Sequence, residues 1–297
     1  MAQIIREIGG HPKTPGRDES LHSLQETDDR WMLTTTPSPL GSSPENLLYS
    51  PRFDMRSAVI ADIHSNLEAF QAVLRDLEER GGAEEIWCLG DIVGYGPDPR
   101  DCIQLLRQHG GKCVAGNHDW AAIGKLDTSA FNSEAAAASQ WTAEALKKGD
   151  SDYLAGLPLT LRLGDFTLVH GSPREAIWEY VLSAPSAKAN FSCFDSRFCL
   201  IGHSHSPLLF ELDSRNSCRE HQLPERLSLK TESRFIINCG SVGQPRDGDP
   251  RASYAIIDTG QEVLWHHRVK YDFKVTQEKI LDADLPVRLA SRLAAGW

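Results

Sequence analysis

The sequence predicts an α/β protein whose first half is a parallel sheet with crossover helices and whose second half is mostly β. Two observations predict it. Between Ser57 and Ala115, short apolar runs alternate with amphipathic stretches, the signature of βαβ units with right-handed crossovers. From Thr160 onward, apolar runs follow one another with turn residues between them, which reads as further strands. The early runs are continuous rather than alternating, as expected of strands covered on both faces.

The first strand is 58–61 (Ala-Val-Ile-Ala). Ser65 and Glu68 fit a capping box, and Leu67, Phe70, Val73, Leu74 and Leu77 repeat at helical spacing until Gly81-Gly82 ends the helix. The second strand is 86–89. A helix starts near Pro99, which suits a first turn, and runs through Cys102, Leu105 and Leu106 to Gly110-Gly111; the third strand is 112–115. Residues 133–148 are Ala-rich and predicted helical. Two strands, 160–163 and 166–169, flank Gly164-Asp165 as a hairpin. Further strands are predicted at 198–201, 208–212, 235–238, 254–257 and 263–269, with the charged stretch 213–234 as a solvated loop or insertion. Two helices, 275–281 and 285–294, follow.

Residues 1–54 have a different composition. Six of the sixteen prolines fall there, and 34–44 is rich in Thr, Ser, Pro and Gly, a linker composition. This segment is expected to stay disordered, with 55–297 as the single folded domain and Met55 as an alternative start.

Thirty-one basic against forty-one acidic residues give a net charge of −10, which argues against a general nucleic-acid or anionic-membrane surface. No apolar run approaches the ~20 residues that span a bilayer, and the N-terminus lacks the basic start and apolar core of a signal peptide. Seven cysteines without a CxxC pair read as reduced thiols of a cytoplasmic protein.

The functional information lies in where the polar residues fall. Strand 58–61 runs into Asp62-Ile63-His64, 86–89 into Gly90-Asp91, and 112–115 into Gly116-Asn117-His118-Asp119; 166–169 runs into His170-Gly171, and 198–201 into Gly202-His203-Ser204-His205. Ligands of open α/β sheets bind beyond the carboxyl ends of the strands, so these five ends point to one site. Each fragment also has an ordinary reading: Asp62-x-His64 as a turn, Asp91 as a loop cap, Asn117 as a left-handed turn residue, His170 as a satisfied strand-end histidine. His203-x-His205 is more specific, and the ensemble, with five of the eleven histidines, points to metal chemistry.

This ordered series resembles the calcineurin-like metallophosphoesterases, over residues 56–297. Segments 62–69 (Asp-Ile-His-Ser-Asn-Leu-Glu-Ala), 94–99 (Gly-Tyr-Gly-Pro-Asp-Pro) and 240–254 resemble more narrowly a prokaryotic subgroup described as protein or diadenosine-tetraphosphate phosphatases. The resemblance implies a four-layer α/β/β/α sandwich with mixed sheets and two divalent transition-metal ions, Mn in vitro, with Fe, Zn, Co or Ni as alternatives. It implies Asp62, His64 and His205 on one metal, Asn117, His170 and His203 on the other, and Asp91 bridging. A shared hydroxide would then attack a phosphate monoester or diester. His118 would protonate the leaving alkoxide or donate to the phosphoryl oxygens, with Asp119 orienting it. The substrate would be a phosphorylated small molecule, a nucleotide or a phosphoprotein.

Protein phosphatases and symmetric dinucleotide hydrolases of that family carry Asp-Arg-Gly after the second motif, whereas 92–97 here reads Ile-Val-Gly-Tyr-Gly-Pro. Arg174 and Arg246 follow metal-bearing or Gly-rich loops and are the candidates for the missing phosphate contact, each set against a surface ion pair. Substrate choice falls to the loops around Tyr95, Trp120, Trp178 and 213–234.

Other chemistries fit less well. Cys239-Gly240-Ser241-Val242-Gly243 lacks the first glycine of a nucleophile elbow, there is no P-loop or GxGxxG, and the β-rich half argues against a (β/α)₈ barrel. A nuclease is disfavoured by the acidic charge. The alternative from another class is a non-catalytic protein-interaction scaffold on the same fold. A scaffold is free to lose ligands, however, and all seven are present with His118.

Overall fold

A computed structural model describes residues 54–297; the expectation for the N-terminal extension lies outside the described residues. The opening unit is β1 (Arg56–Ile60), α1 (Leu67–Glu79), β2 (Glu85–Cys88), α2 (Pro99–Gln108) and β3 (Lys112–Cys113). Its three strands pair in parallel. Then come α3 (Asn117–Ala122), α4 (Ser133–Ala145) and α5 (Lys148–Ala155), the hairpin β4 (Thr160–Leu163) and β5 (Phe166–Val169), and α6 (Ala184–Asn190). The rest is β6 (Phe198–Ile201), β7 (Pro207–Leu212), β8 (Cys218–Gln222), β9 (Arg226–Ser228), β10 (Arg234–Cys239), β11 (Ala252–Asp258) and β12 (Val263–Val269), closed by α7 (Phe273–Asp282) and α8 (Val287–Ala295). Two six-stranded mixed sheets result, ordered β3-β2-β1-β11-β12-β9 and β4-β5-β6-β10-β7-β8.

The side-chain period of two sorts these strands into layers. Ala58 and Ile60 pack with Phe70 and Val73 of α1 and Ile103 and Leu106 of α2. Val59 and Ala61, pointing the other way, pack with Trp87 and with Leu168, Phe198, Leu200 and Ile237 of the second sheet. On that sheet's far face, Cys199, Ile201 and Phe210 meet Ala187 of α6 and Phe191 just beyond it. Helix, sheet, sheet and helix therefore stack in the expected order. A large aliphatic side chain fully buried in such layers contributes about 1.5–3 kcal/mol.

Three local expectations are corrected. Asn66, not Ser65, caps α1: its Oδ1 accepts from Ala69 N at 3.1 Å. Glu68 instead holds α7, accepting from Thr276 Oγ1 (2.9 Å) and Lys279 Nζ (2.5 Å). The Ala-rich stretch is two helices, because Leu146 turns extended (ψ 144°) and Asp150 caps a new helix by accepting from Lys147 N at 3.0 Å. The charged stretch 213–234 contains β8 and β9, which pair antiparallel with β7 and β12, each at an edge of a different sheet. Both are largely exposed, and charge on an edge strand blocks unwanted pairing; that same charge hides it from a hydrophobicity reading. No helix among the described residues is long and apolar enough to cross a membrane.

Candidate metal centre

The five strand ends converge. Asp62 and His64 follow β1, Asp91 follows β2, Asn117 and His118 open α3, His170 follows β5, and His203 and His205 follow β6; all are buried. Their donor atoms form two groups, Asp62, His64, Asp91 and His205, and Asp91, His170 and His203, each within a 4.8 Å span. Asp91 belongs to both. Main-chain bonds tie the loops together: Asp62 N to Gly90 O and His64 N to Asp91 O (both 3.0 Å), and Gly202 N to His170 O (2.8 Å). Asp62, His64, Asp91, His203 and His205 all sit at φ between 50° and 65°. This left-handed backbone costs a non-glycine residue about 1–2 kcal/mol, and such strain gathers where a site needs it.

Main-chain carbonyls fix the imidazoles. Nδ1 donates to Val93 O from His64 (3.1 Å), to Gln244 O from His205 (2.6 Å) and to Leu89 O from His170 (2.8 Å); His203 donates from Nε2 to Trp178 O (3.2 Å). In its neutral form each ring then turns its other nitrogen, an acceptor, inward. His64 Nε2 and His205 Nε2 face each other at 3.0 Å, two lone pairs with no proton between them. His170 Nε2 lies 3.2 Å from His203 Nδ1 and 3.0 Å from Asn117 Oδ1. Between the groups, Asp91 Oδ2 is 3.5 Å from His64 Nε2 and 3.4 Å from His170 Nε2, buried and without a hydrogen-bond partner. Protein atoms alone leave the facing His64 and His205 acceptors repelling one another, whereas a bound metal would make ligands of them. Imidazole, carboxylate and amide donors together suit divalent transition metals.

The electrostatics agree. Burial holds His64 and His205 well below the usual histidine range, and His203 down to about 3, so all three are neutral as ligands must be. Burial pushes Asp62 up to about 7, against the opposing charge of His170. Burial alone would also raise Asp91, yet His170, His118 and His64 around it keep it well below the usual carboxylate range. Burial disfavours a charged His170, but Asp91 outweighs it and lifts His170 to about 10. A proton there stands in for a cation, and it can satisfy only one of the acceptors around it.

Asp119 does not orient His118, which corrects the expectation. Its Oδ2 accepts from Asp91 N (2.9 Å) and Gly116 N (3.0 Å), and its Oδ1 from Ile92 N (2.9 Å) and Val93 N (3.1 Å). It thereby shapes the loop that carries Asp91 and the carbonyl holding His64. Gly116 is required beside it, since a Cβ there would lie 2.0 Å from Asp91 Oδ1. Asp119→Asn turns one acceptor into an NH₂ facing N–H donors. We expect a 10- to 100-fold loss of metal affinity, the usual scale for outer-shell partners, measured as metal retained on dialysis; unchanged retention would contradict this role.

His118 donates its main-chain N to Asp91 Oδ1 at 2.9 Å. Its ring lies 4.3 Å from Tyr95, 4.7 Å from Phe131 and 5.0 Å from His64, centroid to centroid, and its buried Nδ1 has no partner. Burial pushes it down to about 4. Arg246 is half-buried beside this cluster. Its Nη2 donates to Gln244 Oε1 (2.9 Å) and Tyr95 Oη (3.4 Å), and its buried Nε is unpartnered. Its charge reaches Asp62, His64, His118 and His205. Arg174 is not drawn in: its half-exposed guanidinium pairs with Glu179, and its main-chain N donates to Asn190. Trp120 lies under Lys125, 5.6 Å from Nζ to ring centroid. Sequence reasoning missed Phe131 and Tyr180, the latter stacked on His203 at 3.9 Å.

Comparison with known proteins identifies the family of the chain. Residues 55–262 match the model of the calcineurin-like phosphoesterase superfamily domain. An uncharacterized protein of Methanocaldococcus jannaschii is 39% identical over 244 residues, 80% of this chain and 97% of that one. The crystal structure of a metallophosphoesterase from Sphaerobacter thermophilus aligns with a TM-score of 0.74 and 45% identity, over 82% of this chain and 100% of that one. A symmetrical bis(5'-nucleosyl)-tetraphosphatase of Psychromonas ingrahamii is 30% identical over 67 residues, 22% of this chain and 24% of its own length.

Proposed function

The chain belongs to the calcineurin-like phosphoesterase superfamily and is a hydrolase of phosphoric esters, and from that premise we propose that it binds two divalent transition-metal ions, one per donor group, to cleave a monoester or diester of a phosphorylated small molecule. The observation that carries this is the pair of facing acceptor sets joined by the unpartnered Asp91 Oδ2. When bound, such ions supply Lewis acidity toward phosphoryl oxygens and a water acidified toward neutral pH, with Mn²⁺ the ion to use in vitro. Asp62, His64 and His205 would hold one ion, Asn117, His170 and His203 the other, and Asp91 both.

The chain's own groups do the rest. His118 stands at the edge of the cluster, and its imidazole would donate to the leaving oxygen. Arg246 would bring its guanidinium to a non-bridging phosphoryl oxygen, the contact that the 92–97 loop lacks. A binding-only scaffold has no use for strained, inward-facing donors. Seven free cysteines, one of them exposed, suit a reducing compartment, and we assign the protein to the cytoplasm.

The test is hydrolysis of chromogenic phosphate monoesters and diesters by metal-stripped and Mn²⁺-reloaded protein. Turnover should require metal. Arg246→Ala should raise KM about 10- to 100-fold, the scale of a charge-assisted hydrogen bond, while Arg174→Ala leaves kcat and KM unchanged. Loaded protein that cleaves neither ester class would contradict the reading, and an effect at Arg174 in place of Arg246 would contradict the phosphate contact.

A further inference from the structure

Four aromatic rings gather around the two histidines at the edge of the donor groups, and three separate loops bring them. Tyr95 follows β2, Phe131 precedes α4, and Trp178 and Tyr180 lie between β5 and α6. Phe131 and Trp178 meet edge to face at 5.2 Å and 87°. Phe131 borders His118, while Tyr180 lies flat on His203 at 3.9 Å and 23°, with Trp178 6.4 Å from the same ring.

Tyr95 and Phe131 pack into the apolar cluster around Ile280 and Leu289, but packing does not explain the outer part of the rim. Tyr180 is 46% exposed and Leu182, two residues on, is 53% exposed. Exposed apolar surface clustered beside a polar site marks a place where something apolar binds. Arg246 sits next to it, 5.8 Å over the Tyr95 ring, with its unpartnered Nε. The rim thus pairs an anion-binding group with ring surfaces suited to stacking, and a phosphoserine or an alkyl phosphate would leave those surfaces unused.

We propose that the site takes a small phosphoester whose organic part carries a flat aromatic ring, seated against Trp178 and Tyr180 with its phosphoryl group toward Arg246. An arylalkyl phosphate and a nucleotide share this chemistry. The proposal rests on the hydrolase reading for its reaction but not for its binding.

Two measurements on the full chain separate the possibilities. With Mn²⁺-loaded protein, kcat/KM is compared for benzyl phosphate and propyl phosphate, whose leaving alcohols are similar, and for a nucleoside 5'-monophosphate. The ring-bearing esters should exceed propyl phosphate by about tenfold or more, the scale of one stacked ring. Trp178→Leu and Tyr180→Leu should each move that ratio toward one through KM, and Trp178→Phe should restore it. Benzyl phosphate above the nucleotide assigns a simple arylalkyl ligand, and the reverse order assigns a nucleobase. Separately, benzyl alcohol and the free nucleoside are titrated by tryptophan fluorescence, and the change should be lost in Trp178→Leu. If no ester is cleaved yet the ring compound still binds through Trp178, the hydrolase reading fails and the ring site stands. If all esters are cleaved equally and the three variants leave their ratio unchanged, the ring site is overturned and the hydrolase reading stands.

Discussion

Replacing His118 with alanine is expected to lower kcat by about 10²- to 10⁴-fold, the range for one acid–base group, while metal content stays at the wild-type level. The ring belongs to neither donor group. What ties His118 to Asp91 is its main-chain N–H, which alanine keeps. Gly94 lets the neighbouring loop close on the ring, since a Cβ there would lie 2.7 Å from His118 Nδ1, so the imidazole is enclosed yet unpartnered. Held neutral by burial, it offers a single N–H in the free protein; a phosphoryl anion arriving beside it favours the protonated form. His118→Asn separates the two roles. If the ring only donates a hydrogen bond, asparagine recovers much of kcat. If it transfers the proton, asparagine is as poor as alanine and the high-pH limb of the kcat profile disappears. Loss of metal in either variant would mean that the ring holds the site together instead.

The second large effect is at Asp91. Its Oδ1 accepts from His118 N; Asp91 is the residue that both donor groups share, and its Oδ2 lies 3.5 Å from His64 Nε2 and 3.4 Å from His170 Nε2. Asp91→Ala should therefore empty both groups, with metal affinity falling by more than the 10- to 100-fold typical of an outer-shell change and activity falling with it. It also removes the charge that lifts His170. His205→Ala touches only the first group and should leave one ion bound. Metal analysis after dialysis distinguishes these outcomes, and wild-type occupancy in Asp91→Ala would refute the shared role.

Much of this was legible in the residues, for a physical reason. A strand buried on both faces is a continuous apolar run, so a carboxylate or imidazole just past its end stands out, and five such ends pointed to the side chains that the fold brings together. What stayed hidden depends on the main chain or on distant partners. The carbonyls of Val93, Leu89, Trp178 and Gln244 that aim the imidazoles have no side-chain signature, and neither does the left-handed backbone of Asp62 or His203. Asp119 was legible as a site residue, but its four N–H partners were not. Arg174 and Arg246 looked equivalent. Only the fold reveals that Glu179 occupies the first, while Tyr95, 151 residues away, stands beside the second.

Equilibrium dialysis of the metal-stripped full chain against Mn²⁺, followed by metal analysis, tests the paired donor groups most directly. Two ions per chain are predicted, with none retained in Asp91→Ala. A wild-type chain that retains no metal would contradict the centre itself, because the facing imidazoles and the unpartnered Asp91 oxygen would then need another explanation.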